Sequence, residues 1–465
     1  MRLFNKVLAI TLPTLVLVFA GVQAQVTLPS VFADNMVLQQ KSEVPVWGWG
    51  NAGSTVQIIG SWLPQDTVKA VVAPDGKWQA TLKTTQAGGP YTLQILGGNK
   101  VTFNQVMLGE VWLCSGQSNM EWQPSQGLQN QKEEIQAADY PNIRFFKVNK
   151  RGADFPQENC EGEWVRCTPE TMSHNSAVAY FFGRRLYETL NIPVGLIVSA
   201  WGGTPAEVWT PKETVEQTPE LEANKPRQTF PWWPVESGKL YNQMIRPLIP
   251  YRIAGTIWYQ GESNQDRYKS YNTLMKTLIN CWRKDFGYEF PFYFVQIAPH
   301  TYGAKDNTPA LLREQQELTS HQMPNTGMVV ISDQVNDVKN IHPVMKQQVG
   351  IRLANMALAR NYAQNIKSYQ SPTYKSMQIQ KNKIIIRFCD ADDGLVCKDK
   401  RVTGVKIAGE NGEWYDADAK IVDNTIQISS PKVKNPMKAT YCFDEATIGN
   451  LFSKGGLPVA PFRTE

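Results

Sequence analysis

The segment Gly116-Gln117-Ser118-Asn119-Met120 sits at the end of the apolar run 106–114. A buried strand that ends in a small, sharp turn presents its serine hydroxyl at the carboxyl edge of a sheet. In open α/β sheets that edge is where ligands bind. A hydroxyl is a weak nucleophile until a neighbouring base removes its proton. The chain has four histidines, His174, His300, His321 and His342. His342 lies in the loop Asn340-Ile341-His342-Pro343, between a strand ending near Ser332 and a helix starting near Pro343. Proline is favoured at a first helical position, so His342 falls at the same sheet edge as Ser118. Imidazole has the right pKa for general-base work, and a serine with such a base is the minimal equipment for acyl transfer. His300 follows Gln296-Ile297-Ala298-Pro299 at another strand end and is the rival base or a substrate contact. His174 opens a helix and His321 closes one, where a cation suits the helix dipole.

A third group should orient the imidazole. Asp333 is fixed by the strand end, Asp337 is closer to His342 in the same loop, and loop geometry decides between them. Acyl transfer also needs donors for the oxyanion, each worth roughly 10²–10³ in rate. Three strand ends offer them. The first is the Ser118 N–H in its own turn. The second is the turn Trp201-Gly202-Gly203-Thr204, where glycine lets backbone N–H groups approach a ligand. The third is Gln260-Gly261-Glu262-Ser263-Asn264, with side-chain amides at Gln260 and Asn264.

The elements that must hold these groups are legible as patterns. Residues 25–105 alternate apolar and polar over 44–48, 55–59, 68–72, 78–82 and 91–95, with Asn51-Ala52-Gly53, Pro74-Asp75-Gly76, Gly88-Gly89-Pro90 and Gly97-Gly98 as turns. Such spacing predicts a small β-sandwich. Over 106–362, buried-strand runs (106–114, 195–199, 252–258, 292–297, 328–332) alternate with helical ones (176–190, 274–286, 310–321, 343–359). That alternation implies a parallel sheet with helices on both faces. From 363 to 465 the pattern is β-rich again. The stretch 211–234 reads as a long surface excursion ending in Pro231-Trp232-Trp233-Pro234.

Bulk properties bound the answer. The 465 residues, 42% hydrophobic and 19% charged, are those of a folded protein of two or three domains. A dispersed net charge of +5 without a basic run argues against nucleic acid as a partner. Residues 1–24 read as a signal peptide. Arg2 and Lys6 precede the apolar run 8–20, and Val22-Gln23-Ala24 offers a cleavage point before Gln25. The run is short for a spanning helix, so the expectation is an exported protein, periplasmic or secreted, without a membrane span. Of seven cysteines, Cys160 with Cys167 and Cys389 with Cys397 are near enough in sequence to pair in an oxidising compartment, while Cys114 and Cys281 read as buried small hydrophobes. Scattered histidines and the absence of a C-x-x-C pair argue against a zinc site. The 14 Trp and 17 Tyr are many, and serve as core residues or as stacking platforms for sugars.

The motif set resembles the SGNH hydrolase superfamily, specifically the carbohydrate-esterase branch that includes sialate O-acetylesterases. The resemblance rests on Gly116-Gln117-Ser118-Asn119-Met120, Trp201-Gly202-Gly203-Thr204, Trp258-Tyr259-Gln260-Gly261-Glu262-Ser263-Asn264 and Ile341-His342-Pro343, in that order, with similarity also at Phe32-Ala33-Asp34-Asn35-Met36, Tyr241-Asn242-Gln243-Met244-Ile245, Leu312-Arg313-Glu314 and Pro461-Phe462-Arg463-Thr464. It implies an α/β fold: a three-layer αβα, flavodoxin-like parallel-sheet domain flanked by N- and C-terminal β-rich regions. It implies Ser118 as nucleophile and His342 as base. The oxyanion hole would come from the Ser118 backbone, Gly202 or Gly203, and an amide of Gln260 or Asn264. Gln117, Asn119, Glu262 and His300 are expected as substrate contacts, and Arg313 as a grip on a sugar carboxylate or as a surface ion pair. Members of the superfamily often carry the triad carboxylate three residues before the histidine, where this chain has Lys339. That leaves Asp337, Asp333 or a backbone carbonyl to orient the ring. The G-x-S-x-G elbow of α/β-hydrolases is absent. The implied reaction is removal of O-acetyl groups from a sugar, sialic acid first, without a cofactor or metal. Deacetylation of acetyl-xylan or another polysaccharide is the alternative chemistry, and a non-catalytic glycan-binding protein the alternative class.

Overall fold

The computed structural model describes residues 25–226, 229–304 and 306–464. The expected signal peptide, residues 1–24, lies outside them. Among the described residues no helix is long and apolar enough to cross a membrane.

The strand Asn99–Gly116 organises the molecule. Its first half pairs antiparallel with Gly88–Gly97, and its second half pairs parallel with Val194–Ala200 on one side and Gly255–Tyr259 on the other. The expected division near residue 105 therefore falls inside one continuous strand, and the N-terminal β region and the parallel sheet share it. Across the sheet the order is Thr326–Val329, Phe292–Val295, Gly255–Tyr259, Asn99–Gly116, Val194–Ala200, Tyr140–Val148, Gly162–Cys167. All neighbours are parallel in this part of the sheet except the last pair, Tyr140–Val148 with Gly162–Cys167. The chain leaves Asn99–Gly116 toward one side and returns on the other at Gly255–Tyr259. This reversal opens a crevice at the carboxyl end of the central strand.

Strand geometry sends alternate side chains to opposite faces. Val111 and Leu113 enter one core, and Trp112 and Cys114 the other. The same split divides Trp258 from Ile257 and Tyr259, and Phe292 and Phe294 from Tyr293 and Val295. The helix Tyr271–Phe286 packs its Leu274, Leu278 and Trp282 into the first core. The helices Ala177–Leu190 and Lys346–Asn361 pack together over the second.

The N-terminal pair Glu43–Trp49 and Lys77–Lys83 alternates buried and outward residues, and its Val44, Val46, Trp78 and Leu82 share the first core with Val56, Ile58, Leu93 and Ile95. The C-terminal region has two four-stranded antiparallel sheets around a third core that includes Ile384, Ile386, Ile407, Ile426 and Tyr441. All seven cysteines are free, so neither expected pair forms. Cys160 belongs to the core on one face of the sheet and Cys167 to the core on the other. Cys389 and Cys397 end strands of different sheets.

Candidate active site

The serine turn is built by close backbone approach. Gly116 has φ 137°, and a Cβ there would stand 2.2 Å from the Tyr259 carbonyl oxygen of the adjacent strand. Only glycine fits such a position. The Gln117 N–H then donates to that Tyr259 carbonyl at 3.0 Å, and the one-turn helix Ser118–Glu121 begins. Ser118 heads this helix, where backbone N–H groups have no intrahelical partner. The Gln117 side chain is buried, and its Oε1 accepts from the Gly261 and Ser263 N–H groups at 3.3 Å each. It thus ties the serine turn to the loop after Gly255–Tyr259.

The structure brings Ser118 and His342 together: Oγ and Nε2 are 2.9 Å apart. The indole of Trp122 stacks on the imidazole, with centroids 4.6 Å apart and 21° between planes. The His342 N–H donates to Asn340 Oδ1 at 2.9 Å, which fixes the loop. Behind the pair lies a buried polar cluster. Asn119 Nδ2 donates to Glu262 Oε1 at 2.6 Å and to the Ile341 carbonyl at 3.0 Å, and Lys346 Nζ donates to Asn119 Oδ1. Ammonium has only donors, so Lys346 sets which way the Asn119 amide faces.

Burial, helped by the Lys346 charge and by His300, pushes the His342 imidazole down to about 4. Burial pushes Lys346 down to about 7, against the opposing pull of Glu262, and raises the Glu262 carboxyl. At neutral pH the His342 ring is therefore uncharged and able to take a proton from Ser118.

Neither candidate aspartate reaches the ring. Asp333 receives a bidentate guanidinium from Arg352, both contacts at 2.7 Å, and Asp337 accepts the Lys339 N–H at 2.9 Å in its own turn. Among the described residues the His342 ring hydrogen bonds only to Ser118, and the ring is held in place by Trp122 and by its loop.

The oxyanion candidates divide. Gln260 Nε2 donates to Asn264 Oδ1 at 2.8 Å and to the Thr204 carbonyl at 3.3 Å; Asn264 Nδ2 donates to Glu207 Oε2 at 2.9 Å. Both amides are buried and brace the loop that follows Gly203, so the expectation that either faces the oxyanion is corrected. The Gly202 N–H donates to Glu121 Oε2 at 2.7 Å, and Glu121 is held in turn by Lys150 at 2.6 Å. No acceptor among the described residues holds the Gly203 N–H.

Of the expected substrate contacts, Gln117, Asn119 and Glu262 are buried supports. Arg313 is 1% exposed and donates to the main-chain carbonyls of Asp444 and Glu445, so it clamps the C-terminal region against the sheet domain and is neither a surface ion pair nor a sugar grip. His300 packs edge-on against Tyr302 with its Nδ1 unpartnered, and its N–H is held by the Glu445 carbonyl. Sequence reasoning missed Trp122 and Lys346. Trp122 follows the helix Ser118–Glu121 and Lys346 opens the helix Lys346–Asn361; each meets its partner, His342 and Asn119, across the fold, so no local pattern marks either.

Residues 108–362 match the family model "Carbohydrate esterase, sialic acid-specific acetylesterase". The chain belongs to this esterase family. Membership makes it a carboxylic ester hydrolase, consistent with the serine–histidine contact. The esterase is 32% identical over 412 residues to the sialate O-acetylesterase of Mus musculus, covering 75% of this chain and 76% of that one. It is 31% identical over 396 residues to the Homo sapiens sialate O-acetylesterase, covering 76% and 74%. The crystal structure of a carbohydrate acetylesterase from Xanthomonas citri superposes with a TM-score of 0.87 at 32% identity, covering 95% of this chain and 100% of that one.

Proposed function

We propose that the esterase removes O-acetyl groups from sialic acid on the SGNH-hydrolase plan. Ser118 Oγ attacks the acetyl carbonyl while His342 Nε2 takes its proton. The tetrahedral oxyanion is met by the Ser118 N–H and the Gly202–Gly203 turn. Collapse expels the sugar oxygen, which receives the proton from His342, and water repeats the cycle on the acetyl-enzyme. The observation that carries this reading is the 2.9 Å contact between Ser118 and His342, made at the reversal point of the sheet in a chain of a sialic acid-specific acetylesterase family. The apolar, positively flanked residues 1–24 support export as the setting.

Acetate release from O-acetylated sialic acid and from acetylated xylan, measured side by side, tests it. The wild type should favour the sialic acid ester, and Ser118→Ala should abolish release. Preference for xylan would move the substrate to plant polysaccharide. Undiminished release by Ser118→Ala, or no labelling of Ser118 by a fluorophosphonate, would remove the serine chemistry.

A further inference from the structure

The Gly202–Gly203 turn separates the serine from an aromatic wall. A Cβ added to Gly202 would stand 3.2 Å from Ser118 Cβ. A Cβ added to Gly203, which has φ 78°, would stand 2.6–2.8 Å from the indole of Trp233. Glycine is required here twice over, by its backbone conformation and by the ring lying against it. Trp233 comes from the long excursion 211–234. It packs on Phe230, centroids 4.8 Å apart, and edge-on to Trp232. Between this wall and the loop after Gly255–Tyr259 lies a cavity of about 390 Å³, bounded by Gly203, Phe230, Trp233, Ser263, Arg267 and Lys225. Trp233 is only partly buried, so part of the ring surface remains open.

The proposed reaction needs such a place. The acetyl group is small and fits at the serine and the oxyanion donors. The alcohol it leaves is a whole sugar, bonded through one oxygen to the carbon under attack, and must lie beside the glycine turn. A sugar presents a C–H face that packs on an aromatic ring and hydroxyls that need polar partners. The cavity offers the two rings with Ser263, Asp266, Arg267 and Lys225 around them, Arg267 paired with Asp266 and Lys225 with Glu222.

We propose, resting on the sialic acid reading above, that this cavity is the leaving-group subsite: Trp233 and Phe230 are the platform for the sugar of the ester, and Trp233 determines specificity. It binds the alcohol and takes no part in bond making or breaking.

The test compares two acetyl esters on the full chain, O-acetylated sialic acid and vinyl acetate, whose leaving group has no ring. The readout is the ratio of their kcat/KM values, because misfolding lowers both alike. Trp233→Ala should lower the sugar-to-vinyl ratio by about tenfold or more, a change that falls on differential binding of the leaving group. Trp233→Phe should hold the ratio within about threefold, because it keeps a ring over Gly203. Trp232→Ala, an exposed neighbour outside the cavity lining, should leave it unchanged. A ratio in Trp233→Ala equal to wild type would overturn the subsite. A wild type that cleaves vinyl acetate but not the sialic acid ester would overturn the substrate reading alone. The subsite is then measured with acetylated xylose, where the same selective loss supports it and its absence rejects it.

Discussion

Asn119 Nδ2 donates to the main-chain carbonyl of Ile341 at 3.0 Å, across 222 residues of sequence. This bond joins the turn that carries the serine to the loop that carries the histidine, and it is partly buried. It depends on Lys346, which occupies Asn119 Oδ1, and on Glu262, which takes the other amide contact.

Asn119→Ala should therefore lower kcat by about 10- to 100-fold with a smaller change in KM, because misplacement of the base acts on the reacting geometry. It should also cost roughly 1–3 kcal/mol of stability, since the Lys346 and Glu262 groups lose a buried partner. Steady-state kinetics and denaturant unfolding measure both. A wild-type kcat in a folded variant would deny Asn119 its positioning role.

The acid limb of kcat/KM should fall near pH 4, not near the ordinary histidine value of 6.5, because burial and the Lys346 charge hold His342 neutral down to about 4. Lys346→Met removes a positive neighbour and should move that limb upward, toward 6.5. The same depression makes stability rise with pH between about 4 and 6.5, where the unfolded imidazole binds a proton that the folded one refuses. A pH–rate profile of both forms decides; an unmoved limb in Lys346→Met would exclude the coupling.

Asp333→Ala and Asp337→Ala should behave differently. Asp333 is the bidentate partner of a buried Arg352, so its loss should cost about 3–5 kcal/mol in unfolding measurements. Asp337 faces solvent and caps its own turn, so its loss should change kcat by less than about fivefold, far short of the factor near 10⁴ expected of a triad carboxylate. A loss of that larger size in Asp337→Ala would restore the triad.

Glu121→Ala should raise kcat/KM for a small acetyl ester by about two- to fivefold, since the carboxylate occupies the Gly202 N–H that an oxyanion would use. A tenfold fall would instead make Glu121 a brace for the turn.

The alternation of the central strands was legible as sequence. The runs at 106–114, 195–199 and 292–297 are mostly apolar, broken only by Glu110, Ser199 and Gln296, because both faces of the sheet are covered. The strand Tyr140–Val148 was not legible. Arg144 lies in it, buried, its guanidinium satisfied by the main-chain carbonyls of Pro141 and Gln105, and a charge that finds such partners only in the folded chain breaks the apolar pattern. Arg313 was misread for a related reason. Its role is fixed by carbonyls at 444 and 445, more than 130 residues away.

Local sequence determined the parts whose causes are local. These are the glycine that lets the serine turn form, the alternation of strand and helix, and the residue types able to exchange a proton. Tertiary structure decided everything that depends on which groups compete for one another across the chain. It took both aspartates away from the imidazole, turned the Gln260 and Asn264 amides inward, and put a lysine and a tryptophan in the supporting positions. Hydrogen-bond partners and burial are properties of the packed chain, because a donor is committed by whichever acceptor folding brings nearest and water can no longer reach.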